Sequence, residues 1–200
     1  MSVQVLGVLA SIAFFARVMP QPVRLWRTGV PNGVSPLAAM NSATSDLAWI
    51  LYGFAAGLIP VWGTAVVGLV PGVWTVLLLR REITRRDLIA VSLWLGLILG
   101  SAATGTLVTM LAISVVVNQG PQVWQALRED DLWGISPTTY VFAIFDATLW
   151  GAYGLAAGDP AVIGYGVVLL AAALTVLGRI WWTRRTATSP ALLATDPATA

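Results

Sequence analysis

The sequence predicts an all-α integral membrane protein in which seven transmembrane helices form two parallel three-helix bundles joined by a linker helix. Three observations predict this fold class: an apolar composition, an alternation of arginine between successive loops, and an internal repeat. Of the 200 residues, 58% are hydrophobic and 10% are charged, whereas soluble domains are roughly a quarter charged. A water-soluble fold could not bury that much apolar surface.

Seven apolar segments, separated by short polar or Gly/Pro-containing breaks, extend along almost the whole chain. A helix needs about 20 residues to cross roughly 30 Å of hydrocarbon, and a helix satisfies its own backbone polar groups there. No basic residue precedes the first segment, as one would in a secretory signal, so we expect it to remain as a membrane helix. The predicted spans are residues 3–26, 35–55, 59–79, 88–103, 106–127, 137–156 and 160–182.

Arginine predicts the orientation of these spans, because short loops rich in Lys or Arg stay in the cytoplasm. Arginine follows every odd-numbered span, whereas the loops near residues 56, 101 and 158 contain no basic residue. We therefore expect the N-terminus outside, the C-terminus in the cytoplasm, and a multi-pass location in the plasma membrane, as in a bacterial inner-membrane protein. The arginines concerned are Arg24, Arg27, Arg80, Arg81, Arg85, Arg86, Arg128, Arg184 and Arg185.

An internal repeat divides the chain into two similar parts. A single offset of 101 residues aligns an ordered series of identical residues across three successive elements, which composition alone does not explain. The chain is therefore predicted to be a duplicated three-helix unit. The aligned pairs include Pro20 with Pro121, Gln21 with Gln122, Trp49 with Trp150 and Tyr52 with Tyr153.

The fourth span determines how the two copies are related. Three crossings would invert a second copy placed directly behind the first, whereas one additional helix restores its orientation, so the copies are predicted to be parallel. We expect a first repeat at 3–79, a cytoplasmic connector and linker helix at 80–104, a second repeat at 105–183 and a disordered cytoplasmic tail at 184–200.

The repeated segments resemble those of a known superfamily. MPQPVRLWRTG, GVSP and WILYG in the first half, with NQGPQVWQAL, GISP and WGAYG in the second, resemble the PQ-loop superfamily, and the 3+1+3 layout is similar to that of SWEET (MtN3/saliva) transporters. The resemblance covers roughly residues 5–183. It implies a transporter whose substrate site lies near the midplane, between the two halves.

Position by position, the resemblance assigns hinges and a substrate platform. It implies that the two Pro-Gln pairs form hinges at the inner gate, where proline removes a helical hydrogen bond and allows a kink. It implies that Trp49 and Trp150 flank the sugar, since an indole face stacks on a pyranose and its N–H can donate to a hydroxyl. The hinge residues are Pro20, Gln21, Pro121 and Gln122.

The same resemblance assigns an outer gate. Tyr52 and Tyr153 match the gate tyrosines, and Asp159 matches the acidic loop residue of that gate in the second half. The asparagine that SWEETs carry in the third helix of each unit is absent. Counted from the prolines that open these helices, its equivalents are Ala65 and Tyr165. Tyr165 is therefore a candidate substrate-binding residue.

Charged side chains within the predicted spans cost about 2.5–3.5 kcal/mol each on insertion scales, so they usually face a cavity or a partner. Arg17 and its 101-offset counterpart Asn118 lie at matching depth, and Asp46 and Asp146 each lie about one helical turn before a predicted pocket tryptophan. We expect these four side chains to form one polar set beside the tryptophans. Arg17 either fastens helices by pairing with an aspartate, or serves a site in which a desolvated aspartate carries a proton. At least one acid lacks a basic partner.

Several function classes are excluded or unsupported. The chain has no histidine and no cysteine, so the usual metal ligands, disulfides and catalytic nucleophile arrangements are missing. We predict no enzyme, no cofactor and no metal, and a net charge of +2 implies no nucleic-acid partner. Both halves of a pathway are in one chain, and a homo-oligomer is left open.

Three functions follow, in order of preference. The first is facilitative, alternating-access transport of a small polar solute, with a mono- or disaccharide implied by the SWEET resemblance. The second is a proton-coupled carrier of amino acids or other zwitterions, resembling cystinosin. The third is a non-transporting membrane receptor or assembly factor. The expected partners are the solute, protons in the second case, and the lipid bilayer.

Overall fold

The computed structural model describes residues 2–29, 34–128, 132 and 137–186 of the chain. The described residues form helices and no strands. Because α1 and α2 follow one another in a single crossing, eight helices make seven spans. The helices are α1 (Val3–Val18), α2 (Pro20–Thr28), α3 (Pro36–Ala55), α4 (Ile59–Leu78), α5 (Arg85–Thr104), α6 (Leu107–Arg128), α7 (Pro137–Ala157) and α8 (Pro160–Thr186).

These helices confirm the predicted all-helical membrane fold. Six spans are long and apolar enough to cross a bilayer, counting α1 and α2 as one. The remaining helix, α3, has 20 residues but is less apolar, because its middle carries the polar side chains that line the cavity described below. Large apolar side chains face outward, with Phe54 73% and Leu155 70% exposed. The chain thus has the helices and the apolar surface of a multi-pass membrane protein.

The two halves of the bundle, α1–α4 and α6–α8, share one internal arrangement. In the first half α4 packs against both α1 and α3, and in the second half α8 packs against both α6 and α7. The third helix of each unit therefore lies between the other two. The halves meet where α1 packs on α7 and α6 packs on α3, while α5 packs against α3 and α6. Each unit thus places its first helix against the second helix of the other.

The hairpin turns show that the two halves are structural copies. The amide of Leu58 donates to Gly53 O, and the amide of Asp159, 101 residues later, donates to Gly154 O. The glycine before each donor has a left-handed backbone, with φ of 70° at position 57 and 69° at position 158, which glycine adopts without steric cost. The structural correspondence at an offset of 101 residues therefore extends from the second helix of each unit into the third.

The predicted hinge positions differ between the halves. In the first half the helix is interrupted at Met19, and Pro20 starts α2 at a position where its missing N–H costs nothing. In the second half α6 continues as one helix through position 121. The side chain of Pro121 lies outside the described part of the structure.

The last helix extends further than the sequence indicated. The predicted tail began at residue 184, but α8 continues to Thr186, so the first residues of that segment are helical. Arg184 and Arg185 occupy its last turn, where cations interact favourably with the helix dipole. The remaining tail, residues 187–200, lies outside the described residues, as do residues 33 and 134–136 of the repeated GVSP and GISP segments.

Gly166 allows the close crossing of α8 and α7, so enlarging it should destabilise the fold. A Cβ there would lie 2.7 Å from Gly151 Cα and 2.9 Å from Ala147 O. We expect Gly166→Ala to lower the free energy of unfolding by about 1–3 kcal/mol, because two backbones must separate. Thermal unfolding in detergent, followed by tryptophan fluorescence, measures the change.

Gly164→Ala is the matched control, since it lies on the same helix and its Cβ would meet nothing within 4 Å. Alanine is a better helix former than glycine by about 1 kcal/mol, so this variant should unfold at the wild-type temperature or above it. Equal melting of the two variants would contradict the packing described for α7 and α8.

Candidate functional site

A cavity of about 240 Å³ lies between the two halves. This volume is slightly below the roughly 300–1,000 Å³ typical of ligand pockets, so the cavity fits a small solute. Its lining comes from both repeats, and it combines aromatic rings, hydroxyls, an amide and charged groups. The lining side chains are Phe14, Arg17, Ala38, Ser42, Ser45, Asp46, Trp49, Val61, Thr64, Ala65, Ser114, Val115, Asn118, Gln119, Trp150, Val162 and Tyr165.

The two tryptophans matched by the repeat both line this cavity. The ring of Trp49 meets that of Tyr165 edge-on, with centroids 5.5 Å apart, and Trp150 meets Tyr153 edge-on at 5.6 Å. Edge-to-face contacts of this kind hold the rings in fixed orientations. The structure therefore places both indoles, each from a different half, beside one space.

An ion pair joins the halves beside the tryptophans. Arg17 Nε on α1 donates to Asp146 Oδ2 on α7 at 2.8 Å. Arg17 Nη2 donates to the hydroxyl of Tyr165 at 3.1 Å, and that hydroxyl donates to the same Asp146 oxygen at 3.1 Å. Asp146 is fully buried, and a buried charge is tolerated only when it is paired and hydrogen-bonded. Arg17 is thus the partner of Asp146.

A neutral contact repeats this ion pair on the other side of the cavity. Asn118 Nδ2 on α6 donates to Ser45 Oγ on α3 at 3.3 Å. Asn118 is the 101-offset counterpart of Arg17, and Ser45 is the counterpart of Asp146. The same contact between a first helix and the opposite second helix therefore occurs twice, once charged and once neutral. Asp46 and Asp146 both precede a cavity tryptophan by about one turn, but the offset of 101 pairs Asp146 with Ser45.

Asp46 is the acid without a basic partner. It lines the cavity and is 9% exposed, and no described residue forms a hydrogen bond or an ion pair with it. Its carboxylate lies against α4, where a Cβ added at Gly68 would be 3.5 Å from Oδ2. The counterpart of Asp46 in the second half is the buried Ala147. Asp46 is therefore an addition to the repeat rather than part of its duplicated contacts.

The third helices require one correction to the sequence interpretation. Ala65 and Tyr165 were matched by counting from Pro60 and Pro160, but Pro60 is the second residue of α4 and Pro160 is the first of α8. Under the offset of 101 shown by the hairpins, Thr64 is the counterpart of Tyr165. Thr64 lines the cavity beside Ala65, and its hydroxyl hydrogen-bonds that of Ser11 on α1.

Other cavity residues were not identified from the sequence. Ser42, Ser114 and Gln119 line the cavity, and no charge or repeated motif distinguishes them. For Thr64 and Ser45 a signal existed, because the offset of 101 leads to them from Tyr165 and Asp146.

The end of the bundle at which α1 begins, the predicted outer end, is closed by contacts between the halves. The hydroxyl of Tyr52 on α3 donates to Asp159 Oδ2 at 2.6 Å, and Asp159 Oδ1 accepts from the amide of Val162 at 2.9 Å. Buried side chains from both halves form an apolar cluster that includes Val162 and borders the cavity. The cluster contains Ala10, Val61, Trp150, Tyr153 and Val162.

At the opposite, predicted inner end, two hydrogen bonds among the described residues lie within the second half. The hydroxyl of Tyr140 donates to Gln122 Oε1, and Arg179 Nε donates to Ala126 O at 3.1 Å. Gln21 is exposed. Cavity-lining residues extend toward this end as far as Ala38, so the cavity reaches further from the closed outer end than the tryptophans do.

Comparison with known proteins agrees with this architecture. No protein-family model and no curated protein matches the sequence. A eukaryotic SWEET transporter, whose structure was solved at 3.7 Å resolution, superposes with a TM-score of 0.69. The superposition covers 92% of this chain and 97% of that chain at 13% identity, and identity this low shows similarity of fold alone. The chain therefore has the SWEET-like fold that its repeated Pro-Gln segments predict.

Proposed function

We propose that the chain is a membrane transporter that moves a small polar solute by facilitative alternating access, with a saccharide as the first candidate. The observation that carries this proposal is the cavity between the two repeats, closed at one end by the Tyr52–Asp159 hydrogen bond. A solute bound between two units that can move against each other can be exposed to either side in turn. The proposal includes the orientation expected from the arginines, with the N-terminus outside.

The chemistry of the lining supports a hydroxyl-rich solute. Indole faces from Trp49 and Trp150 offer apolar platforms, while Ser42, Thr64 and Asn118 offer hydrogen bonds at the cavity wall. A volume of about 240 Å³ favours a monosaccharide over a disaccharide. Such a site would orient a ring by stacking and select it through hydroxyl contacts.

Gating is proposed at both ends. Tyr52 and Asp159 form the outer gate, with Tyr153 packed beneath it. The break at Met19, immediately before Pro20, is a natural place for α1 and α2 to bend relative to each other. Gln21, Pro121 and Gln122 complete the proposed inner hinges. In this proposal the hydrogen bond between Tyr52 and Asp159 represents the outer gate in its closed state.

A second candidate function is a proton-coupled carrier of amino acids or other zwitterions. The specific observation that favours it is Asp46, a carboxylate at the cavity wall without a described partner. A desolvated carboxylate can bind a proton in one state and release it in another. A receptor without transport is the third candidate, and it predicts no solute flux.

Uptake into proteoliposomes tests the transport proposal. We expect labelled saccharides of one-ring size to equilibrate without an imposed pH gradient, and Trp150→Ala to reduce the initial rate about tenfold or more because one stacking platform is lost. Trp124→Ala is the control, since Trp124 is 59% exposed and lies outside the cavity. It should transport at the wild-type rate.

Three other results would decide against parts of this proposal. Wild-type uptake by a correctly folded Trp150→Ala protein would remove that tryptophan from the site. Accumulation driven by a pH gradient would favour the proton-coupled carrier. Absence of flux for a panel of sugars and amino acids under any gradient would contradict transport and favour the receptor.

The outer gate can be tested by accessibility, because the chain contains no cysteine. Ser42→Cys places a single thiol in the cavity. We expect a membrane-impermeant thiol reagent to label it from the predicted inner side. Adding Tyr52→Phe, which removes the hydrogen bond to Asp159, should increase labelling from the outer side by about tenfold, since hydrogen bonds to charged groups contribute about 1.5–3 kcal/mol.

Tyr153→Phe is the matched control for the gate. Tyr153 is the 101-offset counterpart of Tyr52, but no hydrogen bond of its hydroxyl is found among the described residues. Its substitution should leave outer labelling of the Ser42→Cys protein unchanged. An equal effect of the two substitutions, or none from Tyr52→Phe, would contradict the gate.

A further inference from the structure

The charges around the cavity do not balance. Arg17, Asp46 and Tyr165 line it, and Arg17 is already paired with Asp146. Asp146 is enclosed, with 0% exposure, whereas Asp46 retains 9% exposure at the cavity wall. The ion pair is neutral as a unit, and Arg17 also attracts Asp46. Two ionised carboxylates beside one guanidinium therefore leave one negative charge in excess.

The repeat shows that Asp46 is not required to hold the halves together. The duplicated cross-half contacts use Arg17 with Asp146 and Asn118 with Ser45. Position 147, the counterpart of Asp46, is an alanine packed in the core. The second unit therefore adopts the same fold without an acidic residue at the position equivalent to Asp46. A buried carboxylate with no structural role in the repeat is a candidate for ligand binding.

The surroundings of Asp46 suit a cation on a small organic solute. The aromatic rings of Trp49 and Trp150 line the same cavity, and an ammonium group gains energy both from a carboxylate and from aromatic faces. The third aromatic ring of the lining, that of Phe14, already lies against Arg17. Positive charge near Arg17 would ordinarily be repelled, but Asp146 neutralises that guanidinium at 2.8 Å. One additional positive charge would make the set of Arg17, Asp146, Asp46 and ligand neutral.

We propose that the cavity selects solutes that carry one protonated amine, with Asp46 as the residue that binds the ammonium group. This inference rests on the proposed transport of a small polar solute and specifies its class: a polar monoamine of one-ring size. A proton could also neutralise Asp46. The aromatic lining favours the amine, because it stabilises an organic cation and has no role in binding a proton.

Two probes of nearly equal size separate these alternatives: glucose, which is neutral, and glucosamine, which carries an amine. Binding of each labelled probe to the purified full-length protein is measured at a pH at which the amine is protonated. We expect glucosamine to bind about tenfold or more tightly than glucose, as a charge-assisted contact allows. Asp46→Asn should remove this preference.

Control variants keep the experiment decisive. Glu82→Gln removes one negative charge from the connector after α4, away from the cavity, and should leave the preference intact. Asp46→Ala introduces the residue type present at the counterpart position 147, and it replaces Asp46→Asn if that protein fails to fold.

Each of the following outcomes bears on the inference. Equal binding of the probes, or an amine preference that survives both Asp46 substitutions, would overturn it. Glucose binding that depends on pH and loses this dependence in Asp46→Asn would also overturn it, in favour of a proton site.

Flux of the same probes into proteoliposomes separates the amine-site proposal from the transport proposal. Glucose flux that is unchanged by Asp46→Asn, without a preference for glucosamine, would support transport and contradict the amine site. Selective amine binding without flux of either probe supports the site and contradicts transport.

Discussion

The Arg17–Asp146 ion pair is the interaction on which the rest of the structure depends. A charge in a membrane interior is costly unless it is paired, and the only acid that pairs with Arg17 among the described residues lies on the opposite half. The pair therefore fixes α1 against α7, and with them the relative position of the two units. Tyr165 bonds both members, which brings α8 into the same arrangement.

Duplication explains where the cavity lies, and departures from duplication explain what it can do. The two units cross-connect through equivalent positions, Arg17 with Asp146 and Asn118 with Ser45, so a space remains between these contacts. The differences are an ion pair on one side, an unpaired Asp46 without a counterpart, and an outer gate with one acid, Asp159. Because of these differences, the cavity between two similar units carries charged groups, and the two halves contribute differently to it.

The fold was predictable from the sequence because each of its determinants is local or periodic. Length and apolarity define spans without knowledge of packing, and the predicted spans agree with the helices to within a few residues. Helix α3 is the one predicted span that is not apolar enough to be recognised as a span by its hydropathy. Ser42, Ser45 and Asp46 of this helix line the cavity, and a single averaged hydropathy cannot distinguish them from residues facing lipid.

The site was predictable only in part, because partner choice depends on which helices meet. The sequence grouped Arg17, Asn118, Asp46 and Asp146 as one polar set, and their role in substrate binding stays a prediction. In the structure the first three line the cavity, and Asp146 pairs with Arg17 beside it. It could not say which aspartate meets Arg17, since both lie about one turn before a tryptophan. Thr64 was missed through a shift of one residue between the prolines of α4 and α8. Serines such as Ser42 carry no signal that separates a cavity wall from helix packing.

The most direct test of this account is a double-mutant cycle on the pair that joins the halves, with thermal unfolding as the measurement. Arg17→Asn and Asp146→Ser each leave one buried charge without its partner, which typically costs about 3–5 kcal/mol. Combining them copies the neutral contact that Asn118 and Ser45 already form. We expect the combined variant to recover most of the stability lost by either single change. Additive losses would show that the two contacts are not equivalent, and would contradict the account.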